Sequence, residues 1–110
     1  MSSYLVQVSY STEALAALIK NPQNRTEAVR KSVEKLGGKL TGIWLSFGDH
    51  DVVVIVELPD NIKAAALAMA VAASGTAKSV KTTPLLSVED GVAALKKAGN
   101  SGYKPIGAKK

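Results

Sequence analysis

The chain has 110 residues, a formal net charge of +5 and no cysteine. That length supports one domain and not two, and 46% hydrophobic with 21% charged residues is the balance of a globular chain, not a disordered one. The missing cysteines exclude a disulfide framework, thiolate metal sites and a cysteine nucleophile.

Only 5% of the residues are aromatic, so Val, Leu, Ile and Ala must carry the core. Five lysines (Lys96, Lys97, Lys104, Lys109, Lys110) lie in the last fifteen residues, and the rest of the chain balances nine basic against nine acidic side chains. The basic tail invites a nucleic-acid reading. No aromatic stacking platform accompanies it, so nucleic acid is disfavoured as a partner and a solvated basic end is expected. Met1-Ser2-Ser3-Tyr4 shows no basic region before an apolar stretch, and the apolar run Ala64 to Ala73 is too short to span a bilayer. A cytoplasmic protein without a membrane span is expected.

Tyr4 to Tyr10 reads as a strand, with Tyr4, Val6, Val8 and Tyr10 on one face and Leu5, Gln7 and Ser9 on the other. Ser11 is placed to cap a short helical turn from Ala14 to Ile19. Asn21-Pro22 then predicts a new helix, with Asn21 as N-cap and Pro22 at the first position. That helix buries one stripe of Val29, Val33 and Leu36 and ends at Gly37-Gly38.

Lys39 to Phe47 is predicted as the second strand and Asp51 to Leu58 as the third, joined by a turn at Gly48-Asp49-His50. Pairing Gly48 near Asp51 puts Ile43, Leu45, Phe47, Val52, Val54 and Val56 on one face. Trp44, Ser46, Asp51, Val53, Ile55 and Glu57 then share the other. A slip of one residue would swap one strand's set. Pro59-Asp60-Asn61 breaks the strand and caps a helix from Ile62 to Ser74. Ile62, Ala66, Met69 and Ala73 form the stripe expected on the sheet. Ala64, Leu67, Ala68 and Val71 make the other side apolar too, so the C-terminal segment or another subunit should cover it. Gly75 stops this helix, Thr76 to Leu86 is a fourth strand, and Pro84 suits an edge. Ser87 caps a last helix to about Ala98, with a Val88, Val92, Leu95 stripe.

This order predicts an α+β, ferredoxin-like βαββαβ domain over 1–99: a four-stranded antiparallel sheet with a C-terminal helix, followed by a flexible basic tail over 100–110. Both main helices cover one sheet face. The other face, with Val53, Ile55 and Trp44, carries more apolar surface than a monomer leaves to water, so a homo-oligomer is expected.

Three stretches carry a resemblance to a family. They are Val33-Glu34-Lys35-Leu36-Gly37-Gly38-Lys39, Gly48-Asp49-His50-Asp51-Val52-Val53-Val54, and Val56-Glu57-Leu58-Pro59-Asp60. With the alanine-rich helix ending Ser74-Gly75 and the stretch Val80-Lys81-Thr82-Thr83-Pro84-Leu85, they resemble GYD-domain proteins from roughly Tyr4 to Glu89. The resemblance implies a ferredoxin-like, dimeric α/β-barrel protein of bacterial or archaeal type, and implies no particular activity. The family's Gly, Tyr, Asp signature has His50 at the aromatic position here.

His50 and Asp51 are candidates for catalysis because histidine beside a carboxylate can act as a general base. Neighbours in a strand point to opposite faces, however, and a reverse turn needs Asp and Gly in any case. Glu57 is a third candidate, an acid or base if buried. Trp44 with Tyr4, Tyr10 or Gln7 could line a cleft for a small organic molecule, or Trp44 could be an interface anchor. A lone histidine predicts no metal site, and no cofactor is implied. The expected function is a homo-oligomeric small-ligand-binding or accessory module. The alternative is a cofactor-independent enzyme, isomerase or monooxygenase-like, using the inter-sheet cleft.

Overall fold

A computed structural model describes residues 1–107. The elements are β1 (Ser2–Tyr10), α1 (Thr12–Lys20), α2 (Thr26–Lys35), β2 (Lys39–Leu45), β3 (Val52–Leu58), α3 (Asn61–Ala73), β4 (Ala77–Leu85) and α4 (Val88–Gly99). The strands form one antiparallel sheet in the order β2-β3-β1-β4. This is the ferredoxin-like α+β arrangement, with α1 as an added short helix and α4 appended. Lys109 and Lys110 of the basic tail lie outside the described residues.

Period-two alternation builds the core. Tyr4, Val6 and Val8 of β1 pair with Val56, Val54 and Val52 of β3, and all six are buried on the face that carries the helices. Leu58 and Val33 are also sealed, Val33 being the one buried residue of α2. Removing such a side chain from water stabilises by about 1.5–3 kcal/mol. The stripe of α2 is the one expected, since Val29 and Leu36 flank Val33 against the core. Its C-terminal turn approaches β3 closely. A Cβ on Gly38 would lie 2.3 Å from the Glu57 carbonyl oxygen, so only glycine fits there. Pro84 sits on edge strand β4, where its missing N–H costs no ladder bond.

The start of α2 differs from expectation. Asn21 closes α1, its N–H donating to the Ala17 carbonyl (2.9 Å). Pro22 pushes Asn21 out of the helical region (φ −136°, ψ 79°), and the chain stays irregular until Asn24 Oδ1 accepts from Thr26 N (2.9 Å). Asn-Pro therefore ends one helix here instead of starting the next. Strand β2 also stops short, at Leu45. The register pairs Ile43 with Val54 and Leu45 with Val52, as expected. Phe47, however, is 98% exposed beyond the strand, because Ser46 turns the chain back through its N–H to the Asp51 carbonyl (2.8 Å).

Helix α3 faces the sheet with Ala64 and Leu67, and Val71 packs beside them, the side expected to point away. Ile62 and Met69 are exposed. Because α3 is apolar all round, its pattern carried no preference. Its rotation is set by the cap, where Asp60 accepts from Lys63 N (2.9 Å), and by small Ala64 against the strands.

The C-terminal helix does not cover that exposed side. α4 is capped by Ser87, whose Oγ accepts from Asp90 N (3.0 Å), yet it buries no residue. Val88, Val92 and Leu95 all stand exposed. The radius of gyration is 17.8 Å and the long axis 62 Å, against roughly 13 Å for the radius of a compact domain near this size. No helix among the described residues is long and apolar enough to cross a membrane.

Candidate functional site

The turn before β3 gathers His50 and Asp51, and its polar groups are engaged in holding the backbone. Asp51 Oδ2 accepts from Tyr10 N (2.8 Å), and Asp51 N donates to the Val8 carbonyl (2.8 Å). Ser46 Oγ donates to the His50 carbonyl (2.8 Å) and Ser9 Oγ to the Asp49 carbonyl (3.0 Å). His50 Nδ1 lies 3.4 Å from Ser9 Oγ, and His50 is half-buried. The carboxylate of Asp51 does a defined job: β4 bulges at Lys78, opposite Ser9 and Tyr10, and Asp51 takes the Tyr10 N–H there.

Glu57 stands at the other end of β3, about 20 Å away along the strand. It is half-buried, flanked in register by Ser3 and Lys39. The structure thus holds His50 and Asp51 in one turn with their side chains on different partners, and leaves Glu57 apart. Among the described residues no three His, Asp or Glu side chains converge as metal ligands do.

Trp44 and Gln7 flank Val53 from opposite sides in register, on the face without helices, with Leu5 and Ile55 in the next row. The Trp44 indole lies back over Gly42, where a Cβ would come within 2.4 Å of the ring. Tyr4 is on the opposite face, 2% exposed, its hydroxyl donating to Asn61 Oδ1 (2.6 Å). Tyr4 ties α3 to β1 and shares no cleft with Trp44 or Gln7.

The cavities lie on the helix side. One of about 290 Å³ sits between α2, α3 and the sheet, walled by Val6, Val29, Val54, Leu67 and Val71. A second, of about 360 Å³, lies under the α1–α2 linker beside Leu18, Pro22 and Leu45, with Trp44 on its border. Tyr10, Arg25, Ile43 and Val52 line both. Tyr10 and Arg25 therefore stand at the junction of one apolar cleft. Burial pushes the Tyr10 phenol above its ordinary value, Arg25 pulls it down and Asp51 pushes it up, for a net rise. At neutral pH the phenol is an O–H donor, and its hydroxyl makes no hydrogen bond among the described residues.

Arg25 was not legible as a site residue. It falls in the irregular linker that the Asn-Pro signal obscured. Tyr10 was expected beside Trp44, whereas its parity with Tyr4, Val6 and Val8 puts it on the helix face.

A four-stranded antiparallel sheet with helices over an apolar cleft defines the protein as a ferredoxin-like α+β domain. The chain belongs to the GYD domain family, whose profile matches residues 4–95. No curated relative matches the chain.

Proposed function

We propose that the protein is a homo-oligomeric module that binds a small organic ligand in the cleft between the sheet and helices α2 and α3. The observation that carries this reading is the 290 Å³ apolar cavity with a phenol and a guanidinium at one end. Binding sites are mostly apolar with a few placed polar groups. The cleft lining supplies no carboxylate or imidazole, so binding is better supported than proton abstraction by an isomerase-like enzyme. The site moves from the inter-sheet face to the helix side.

The test uses indole as a neutral probe, with methyl signals followed by NMR. Indole is expected to shift Val54, Leu67 and Val71, and Val71→Phe is expected to suppress the effect. Shifts confined to Leu5, Val53 and Ile55 would place the ligand on the open face and overturn this reading.

The oligomer is supported by the open face and by α4. Four strands present roughly 400 Å², about half of the ~800 Å² per partner that stable interfaces bury. The exposed stripe of α4 (Val88, Val92, Leu95), which follows Leu85 at the edge of that face, adds apolar surface. Light scattering is expected to show a dimer, reduced to a monomer by Ile55→Lys or Leu95→Glu. A monomer at high concentration of the native chain removes this part.

A further inference from the structure

We infer that the cleft selects a small apolar monocarboxylate, its head group held between the Arg25 guanidinium and the Tyr10 hydroxyl. This rests on the cleft being a binding site. Arg25 makes no ion pair among the described residues, where the one ion pair joins Arg30 to Glu27. Glu27, two residues after Arg25, pairs with Arg30, and Asp51, which acts on the Tyr10 phenol, accepts from the Tyr10 N–H. Arg25 is also the N-cap residue of α2 without making a capping bond, so its side chain has no structural partner at the helix start. The positive end of α2 lies behind it. Two donors with no protein acceptor thus stand at the mouth of a mainly apolar space.

The donor geometry favours a carboxylate. A guanidinium offers a planar fork that two carboxylate oxygens match, and the phenol adds one donor. An ammonium group would meet a like charge and no carboxylate in the lining. The cavity limits the body of the ligand. An apolar cavity of about 150 Å³ accepts benzene, so 290 Å³ corresponds to roughly a dozen non-hydrogen atoms. Medium-chain fatty acids and arylalkanoic acids are of this size.

Isothermal titration calorimetry on the full chain with octanoate, 1-octanol and octylammonium tests the assignment. Octanoate is expected to bind about tenfold more tightly than 1-octanol, and octylammonium most weakly. Arg25→Gln is expected to lower octanoate affinity about tenfold and so erase its preference over 1-octanol. Because Arg25 caps nothing, this variant keeps the helical signal of the native chain. Salt raised to about 0.5 M should weaken octanoate alone. Equal binding of octanoate and 1-octanol overturns the carboxylate assignment and leaves the cleft reading standing. Binding of none of the three overturns both. Octanoate binding that survives Val71→Phe undiminished places the ligand elsewhere and overturns the assignment.

Discussion

Two places in this protein concentrate polar chemistry, and they differ in what their groups already bond. The turn at Asp49, His50 and Asp51 holds the densest run of titratable side chains, and its hydrogen bonds all lead to nearby backbone or to Ser9. The junction of the cleft holds only Tyr10 and Arg25, and neither side chain has a partner among the described residues. The contrast teaches that a run of reactive residue types marks a site poorly. Donors that bond no protein acceptor and stand beside an apolar space mark it better, because a ligand can supply the charge-assisted bonds that the protein leaves unused.

The contrast can be broken by substitution. Asp51→Ala carries the largest expected effect. It strands the Tyr10 N–H at the bulge, and urea unfolding should show a loss of about 1–3 kcal/mol. A loss within error would show that the turn is not a structural device. Tyr10→Phe comes next, in the opposite pattern. Neutral-pH stability should stay within about 0.5 kcal/mol, because no protein bond is lost, while octanoate affinity falls several-fold.

The same variant has a pH signature. The folded phenol holds its proton more tightly than the unfolded one, so native stability should fall as pH rises through about 10 towards the raised value. Tyr10→Phe should lack that part of the fall, as urea midpoints between about pH 9 and pH 11 would show. Identical profiles would mean that the phenol is not buried in the folded chain. His50→Ala has the smallest expected effect. It should cost less than about 1 kcal/mol and leave ligand binding unaltered in calorimetry. A large loss of binding would return the turn to the candidate sites.

Much of the fold was legible because strands of alternating burial have only one way to face a core. Tyr4, Val6, Val8, Val52, Val54 and Val56 are all where their parity puts them. Helix α3 was not legible, because Ile62 and Met69 on one side and Leu67 and Val71 on the other offer similar apolar area. A cap and a small alanine decided its rotation. The start of α2 was misread because Asn-Pro serves equally as a stop and as a start. Which one wins depends on how far α1 runs, and α1 is held by Ser11, tied to the Gly75 and Thr76 carbonyls. The cleft depends on that linker, so Arg25 could not be placed from its neighbours in sequence alone.

The indole of Trp44 lies flat along β2 because Gly42 leaves it room, and it is 53% exposed in the single chain. It is the only tryptophan of the 110 residues. Its position makes it a built-in optical reporter for the face without helices. Its emission lies to the red while water reaches the ring and moves to the blue when a second surface closes over it. A dilution series followed at this one fluorophore therefore reads the coverage of that face without any label.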